Sequence, residues 1–283
     1  MYTPWQTWPT LSGQPAILVG PARPGHHSAA DNNPFEDSDI YVATRLDDGT
    51  WSVPANMGFN DSGADCCAMT WDGTTFAYQR TQFTNSALTD LALIVRQSNG
   101  SWQRTMLPSP VNLSTSSESN PHLTASGNAI YFTSDRPGGY GSTDLYVARR
   151  NTDGSWQAPV NLGSTINSSQ SEDQIWVSRD EQTLYFNRTQ GKGAPQIYSS
   201  TLVNGAWSTP QAVKFGGQLL PGAEASLTDD QLTMTFALVR PDLNDILMVV
   251  SHRVPGGDWG TPVSIDLATT LSTPQGVRIT ATH

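Results

Sequence analysis

The chain has 283 residues, with 15 Lys and Arg against 25 Asp and Glu, which gives a formal net charge of −10. Binding to a nucleic-acid backbone requires clustered basic side chains, so this acidic balance argues against a nucleic-acid partner. The sequence contains no apolar run of the roughly 18 residues that a membrane-spanning helix needs, and it does not begin with the basic and apolar stretch of a secretory leader. We therefore expect no membrane span and no leader in this sequence.

A single sequence unit recurs five times along the chain, each time marked by a tryptophan. The tryptophans are Trp51, Trp102, Trp156, Trp207 and Trp259. Their spacings of 51, 54, 51 and 52 residues indicate a repeated fold in which these large side chains are packing anchors. The units cover approximately residues 1–60, 61–112, 113–166, 167–217 and 218–283.

Each unit has the pattern of four short β-strands. A turn pair precedes each tryptophan and predicts a type I′ hairpin, because these residues tolerate the positive φ angles of that turn. The pairs are Asp48-Gly49, Asn99-Gly100, Asp153-Gly154, Asn204-Gly205 and Gly256-Gly257. An extended segment precedes each turn, and a second hairpin, clearest in residues 121–132, lies before that segment.

Four strands in each of five consecutive units predict an all-β fold, a five-bladed β-propeller with four antiparallel strands per blade. We expect one domain over residues 1–283. Residues 275–280 follow the last tryptophan at the distance of an innermost strand, so the C-terminal strand is expected to close the ring. Residues 9–12 resemble residues 121–124 and are the alternative closing strand.

The third unit carries the motifs of a known repeat. Glu118-Ser-Asn-Pro121, Tyr131-Phe-Thr-Ser-Asp-Arg-Pro-Gly-Gly139 and Trp156-Gln-Ala-Pro-Val-Asn-Leu-Gly163 closely match it. On these motifs the chain resembles the TolB-type (WD-like) β-propeller repeat family over nearly its whole length. The resemblance implies the fold strongly and the function weakly, because such propellers include protein-interaction modules, cell-envelope proteins and a few carbohydrate-active enzymes. A periplasmic or secreted location and a monomeric state are expected.

An arginine falls between the second and third predicted strands of every unit. These residues are Arg23, Arg80, Arg136, Arg188 and Arg240. They can form a ring that binds an anionic ligand through forked hydrogen bonds. The alternative is that each guanidinium pairs with a carboxylate of its own blade, which better explains why all five units have one.

Acidic residues cluster where the innermost strands are predicted to begin. They are Asp65, Glu118, Glu172, Asp173 and Glu224. The three glutamates are candidate acid and base groups for cleaving a glycosidic bond, and the two aspartates are candidate ligand contacts. Structural pairing is the alternative. Such carboxylates can also hold a divalent cation such as Ca²⁺ in the channel, although the sequence has no calcium-binding loop of the EF-hand kind.

One repeat position varies between units in a way that a scaffold does not require. It carries Ala68, His122, Trp176, Ser226 and Arg278. His122 can transfer protons near neutral pH and is a further catalytic candidate. Trp176 can stack on a sugar, and Arg278 is a candidate ligand contact. The alternative for His122 and Trp176 is burial between blades.

Two local features stand apart from the repeat. Cys66 and Cys67 are adjacent and form either a vicinal disulfide, which indicates an oxidising compartment, or two small buried thiols. A polar insertion over residues 24–38 carries two histidines and an aspartate, and long loops on rigid scaffolds often carry function.

Two function hypotheses remain open. The first is a binding propeller that holds a glycan, a peptide or a partner protein at the mouth of the central channel. The alternative is a carbohydrate-active enzyme, a glycoside hydrolase or lyase, with acid/base carboxylates at the same mouth. Carboxylates about 5–10 Å apart beside an open pocket favour the enzyme, whereas carboxylates held by the arginines favour scaffold and binding. No cofactor motif is present.

Overall fold

The computed structural model describes residues 74–81, 88–243 and 245–264, together with the backbone of four strands that lie between residues 15 and 69. The regular elements in these parts of the chain are β-strands and one short 3-10 helix. No helix in them has the length and apolar character needed to cross a membrane.

The strands form consecutive antiparallel sheets that follow the chain order. The N-terminal sheet comprises β1 (Pro15–Pro21), β2 (Ser38–Thr44) and β3 (Ala55–Asn56). The first blade comprises β4 (Ala64–Met69), β5 (Thr75–Thr81), β6 (Thr89–Arg96) and β7 (Trp102–Met106). The second blade comprises β8 (Glu118–Leu123), β9 (Ala129–Ser134), β10 (Asp144–Arg149) and β11 (Val160–Asn161).

The remaining sheets complete the described chain. The third blade comprises β12 (Ser171–Val177), β13 (Thr183–Thr189), β14 (Gln196–Val203), β15 (Ala206–Trp207) and β16 (Gln211–Ala212). A small hairpin, β17 (Lys214–Phe215) and β18 (Gln218–Leu219), follows it. The fourth blade comprises β19 (Gly222–Leu227), β20 (Thr233–Arg240), β21 (Asp245–His252) and β22 (Val263–Ser264), with the 3-10 helix Pro241–Leu243 before β21.

The four blades give a propeller-like arrangement, as the repeat predicts. The described part of the chain thus holds four blades, three of four strands and one of five, and a three-stranded N-terminal sheet, rather than five complete blades. The expected closing strand at residues 275–280 and its alternative at residues 9–12 lie outside the described residues, as does the insertion up to residue 37.

One of the described turns has the predicted type, and two others differ from it. In the pair Asn204-Gly205 both residues have positive φ, at 52° and 79°, and a two-residue loop joins β14 to β15, as type I′ requires. At Gly100 and Gly154 the glycine alone has positive φ, and its N–H donates to the carbonyl three residues earlier. These two turns are therefore type I turns followed by a left-handed glycine, the longer hairpin loop.

The apolar core lies between successive blades. One cluster joins the first blade to the second, another joins the second to the third, and a third joins the third to the fourth. We call the first strand of each blade its inner strand. The inner strands of the later blades, β8, β12 and β19, each pack against the preceding blade. Trp259 is buried in the last cluster, and Trp156 and Trp207 pack at the edges of the other two, which fits the role of packing anchor.

Every inner strand is interrupted at the same register position. In β8, β12 and β19 the pairing with the next strand shifts by one residue, and Asn120, Gln174 and Glu224 lie in the bulge with φ between 47° and 56°. Strand β4 shows the same shift between Asp65 and Cys67. A bulge turns the side chain that it carries away from the normal alternation, so these positions project differently from their neighbours.

Candidate functional site

Glu118 is sealed inside the second blade. Its side chain has no solvent exposure and accepts hydrogen bonds from the Leu113 N–H at 2.9 Å, the Ser116 hydroxyl at 3.1 Å and the Ser134 hydroxyl at 3.0 Å. The Arg136 guanidinium lies 3.1 Å from the same carboxylate. Burial raises the pKa of Glu118, although these donors all act to lower it.

Glu172 repeats this arrangement one blade later. It is also fully buried and accepts from the Ser168 N–H at 2.9 Å, the Ser168 hydroxyl at 2.5 Å and the Arg188 Nε at 2.6 Å. Arg188 donates further to the Ile166 carbonyl at 2.8 Å. In the second blade Arg136 makes the matching bond, to the Val111 carbonyl at 2.6 Å.

The strand registers separate residues that the sequence grouped together. Glu118 and Glu172 occupy the same register position, where the fourth blade has Gly222. Glu224 lies two positions further along its strand, in the bulge. Asp173 follows Glu172 directly and corresponds to Asp65 of β4, whose side chain is outside the described residues.

The arginines do not form one uniform ring. Arg136 and Arg188 stack over aromatic rings and bind the buried glutamates, with Arg188 4.8 Å from the Tyr198 ring centre. Arg240 pairs with Asp245 in its own blade. Arg80 is buried within β5, and Arg23 and Arg278 lie outside the described residues.

His122 and Trp176 lie between blades, the alternative considered from the sequence. Their rings are 5% and 4% exposed with centres 6.0 Å apart, and their registers place them at the same position as Ala68 and Ser226. The His122 ring hydrogen-bonds to the backbone carbonyl of Val177, and burial lowers its pKa to about 4. In this structure neither ring is open to a ligand.

The side chains of the bulge connect the inner strands of successive blades. The Asn120 N–H donates to the Gln79 Oε1 at 2.8 Å, and the Asn120 Nδ2 donates to Asp173 at 2.6 Å. One blade on, the Gln174 Nε2 donates to Glu224 at 2.8 Å. We call these five residues the polar belt. It links β5 of the first blade with the inner strands β8, β12 and β19 of the next three blades.

Asp173 is the carboxylate at the centre of the polar belt. Besides Asn120, the Thr133 hydroxyl donates to it at 2.8 Å and the Gln174 N–H at 2.9 Å. Asp173 itself is only partly buried. Crowding by the surrounding protein nevertheless raises its pKa, because these three donors are neutral and compensate incompletely for lost hydration.

No group of three or more His, Cys, Asp or Glu side chains in the described residues is arranged to hold a metal ion. The cysteine pair lies in β4, but its side chains, like the histidines of the insertion, are outside the described residues.

Two buried asparagines, which the sequence patterns did not single out, clamp the loops before the inner strands. Asn112 accepts from the Leu91 N–H and donates to the Leu91 carbonyl, and Asn167 does the same with Leu145. A repeated spacing could have indicated these asparagines. In both units a branched apolar residue precedes the asparagine, and a glutamate follows it five or six residues later. These clamps fix the segment that buries Glu118 and Glu172.

No protein-family model matches the chain, and no curated protein matches it in sequence. Among solved structures, TolB from Acinetobacter baumannii matches with a TM-score of 0.55 and 18% identity, over 88% of this chain and 53% of that protein. A puromycin-hydrolyzing peptidase from Mycobacterium tuberculosis matches with a TM-score of 0.52 and 9% identity, over 93% of this chain and 44% of that protein. This chain therefore spans about half the length of each. At such low identity the similarity concerns the fold alone, and that fold is a TolB-like β-propeller.

Proposed function

We propose that this chain is a binding propeller whose ligand, a peptide, a glycan or a partner protein, is held where the inner strands begin. The observation that carries the proposal is the contrast between two sets of polar side chains. Glu118 and Glu172 are fully buried and held by arginines. Asn120, Asp173 and Gln174 of the polar belt retain partial solvent exposure.

A belt of this kind suits recognition. Amide groups offer both donors and acceptors, and a few placed polar groups fix the orientation of a bound ligand. The belt is also held by hydrogen bonds between blades, so its groups are ordered before a ligand arrives. Pre-ordered groups reduce the entropy that is lost on binding.

The alternative function, a glycoside hydrolase or lyase, is less well supported by this geometry. An acid/base carboxylate must reach the scissile bond, and Glu118 and Glu172 cannot do so from positions without solvent exposure. Of the candidate carboxylates whose side chains the structure describes, Asp173 is partly exposed and Glu224 is 6% exposed, so an enzyme would use Asp173 first. His122 is buried, and because burial lowers its pKa to about 4 it is neutral at physiological pH.

The proposal also covers the fifth blade, the cellular location and further ligand contacts. The N-terminal sheet is proposed to be a fifth blade, with the ring closed by the C-terminal strand. The resemblance to TolB-type repeats supports a periplasmic or secreted monomer. Arg80, Arg240, Asp65 and Arg278 remain proposed ligand contacts at the rim.

The test is a thermal-shift screen against oligosaccharides, uronic acids and short peptides, followed by calorimetric titration of each hit. Binding to the native state raises the melting temperature. We expect Gln174→Asn to weaken the hit, because it withdraws the amide from Glu224 while asparagine still tolerates the left-handed backbone. Asp229→Asn, which removes the acidic partner of the exposed Arg179–Asp229 ion pair, is the control.

Product analysis on any carbohydrate hit separates the two functions. A binding propeller leaves the carbohydrate intact. Turnover that is abolished in Asp173→Asn or Glu224→Gln, but not in the control, would contradict the proposal and establish the enzyme.

A further inference from the structure

Asp173 differs from the buried glutamates in what compensates its charge. Glu118 and Glu172 each have an arginine within ion-pair distance. Asp173 has three neutral donors, from Asn120, Thr133 and Gln174, and no lysine or arginine within that distance in the described part of the chain. A carboxylate in this setting has an unfulfilled preference for a cationic partner.

The neighbouring Asn187 supplies a second, independent sign of a missing partner. Its side chain is 2% exposed, and its Oδ1 has no hydrogen-bond partner among the described residues. Asn187 pairs directly with Asp173 in the β12–β13 ladder, so the two side chains lie on the same face of the sheet about 5 Å apart at Cβ.

The hydrogen-bond network fixes which end of the Asn187 amide is unpartnered. Gln174 uses its Nε2 to donate to Glu224, and its Oε1 accepts from the Glu224 N–H at 3.2 Å. The end of Gln174 that faces Asn187 is therefore an acceptor, and Asn187 must present its Nδ2 to it. The Asn187 oxygen is thereby left as a buried acceptor, which is costly unless a donor reaches it.

We propose that Asp173 and Asn187 together recognise a positively charged donor group, a guanidinium or ammonium, on the ligand of this propeller. The inference rests on the proposed function and adds the ligand's charge to it. A guanidinium carries several N–H donors in one plane and can bond both the carboxylate and the amide oxygen at once. The occupant to which we commit is the arginine or lysine side chain of a peptide.

Two further features of the molecule agree with a cationic ligand. The net charge of −10 attracts positively charged molecules over distances of about the Debye length and raises their association rate. Ionised Asp173 also weakens the native state, because burial raises the pKa of this carboxyl, so the native protein binds its proton more tightly than the unfolded chain does. A cationic ligand would relieve that cost.

The experiment compares two peptides that differ in charge but hardly in shape, acetyl-Gly-Arg-Gly-amide and its citrulline counterpart. Calorimetric titration at low ionic strength measures their affinities for the full chain and for Asp173→Asn. We expect the arginine peptide to bind at least tenfold more tightly than the citrulline peptide, and that preference to vanish in Asp173→Asn. Asp229→Asn removes the same charge at an exposed site and should leave the preference intact.

The melting temperature of the variant distinguishes a ligand-binding Asp173 from a structural one. In Asp173→Asn the new amide can donate to the Asn187 oxygen, so we expect an unchanged or higher melting temperature together with lost peptide binding. A purely structural Asp173 would give a lower melting temperature and no change in preference.

Three outcomes would overturn the inference. Equal binding of the arginine and citrulline peptides would show that the site does not distinguish a positively charged side chain from a neutral one. Binding of CaCl₂ alone, lost in Asp173→Asn and without peptide binding, would identify a metal site instead. Binding only of neutral ligands, weakened by Gln174→Asn, would leave the binding function standing while refuting the cationic ligand.

Discussion

Buried carboxylates in this protein differ in the groups that surround them. Around Glu118 every neighbouring polar group is a donor, namely a backbone N–H, two hydroxyls and a guanidinium. A carboxylate with two acceptor oxygens satisfies such a shell completely. The pair it forms with Arg136 therefore belongs to the architecture of the blade rather than to chemistry on a substrate.

Replacing Glu118 by glutamine tests this role at the residue scale. The glutamine NH₂ would face donors and leave Arg136 without its carboxylate, so we expect the free energy of unfolding to fall by about 3 kcal/mol. Urea denaturation at neutral pH measures the loss. The exposed pair Arg179–Asp229 is the control, because Asp229→Asn should cost under about 1 kcal/mol. A Glu118→Gln variant as stable as the wild type would contradict this structural role and make Glu118 a functional candidate again.

His122 predicts a dependence of stability on pH. Its pKa in the folded protein is about 4, below the usual 6.5, so the unfolded chain takes up a proton at a higher pH than the native protein does. Stability from this group is full above pH 6.5 and is lost as the pH falls toward 4. Between pH 7 and pH 5 the loss amounts to about 2 kcal/mol.

The contribution of His122 can be isolated by comparison with His122→Gln, whose amide can still donate to the Val177 carbonyl. All other titrating groups are common to both proteins, so the difference between their pH profiles belongs to the histidine. Parallel urea-midpoint profiles from pH 7 to pH 5 would refute the assignment.

At the scale of the elements, the sequence predicted the strands well and the environment of their side chains poorly. Hairpin patterns and turn pairs predicted the repeated strands. The repeat also placed His122, Trp176 and Ser226 at one equivalent position, and the strand registers agree. Burial of Glu118 was not predictable from its strand, because the loop that covers it is positioned by Asn112, which lies outside that strand. The offset of Glu224 arises from the bulge, which no alternation pattern reveals.

The asparagine clamps carry a prediction about one element. The Asn167 amide bonds both the N–H and the carbonyl of Leu145 in β10. Asn167→Ala therefore removes the partner of the Leu145 N–H, whereas the Leu145 carbonyl still accepts from the Leu162 N–H at 3.0 Å. We expect a loss of about 2 kcal/mol and faster hydrogen exchange at the Leu145 amide. Asn112→Ala should leave Leu145 protected while exposing Leu91, its own partner. Exchange measured by NMR on both variants distinguishes a local clamp from general destabilisation.

At the scale of the whole molecule, the N-terminal sheet is the element that differs from the four blades. Strands β1 and β2 pair over seven residues, yet the sheet has three strands in the described chain and no inner strand beside β1. An edge of that length presents a row of unpaired backbone groups, which propellers avoid by closing the ring with a strand from the other terminus.

Truncation at each terminus tests which segment closes the ring. If residues 275–280 supply the missing strand, removal of residues 275–283 lowers the melting temperature and broadens the transition, because the ring then has an open edge. Removal of residues 1–12 should have the smaller effect. Differential scanning calorimetry on the two truncated chains measures both quantities. A larger loss on removing residues 1–12 would assign the closing strand to the N-terminus, where residues 9–12 carry the competing sequence pattern, and equal small losses would contradict a closed five-bladed ring.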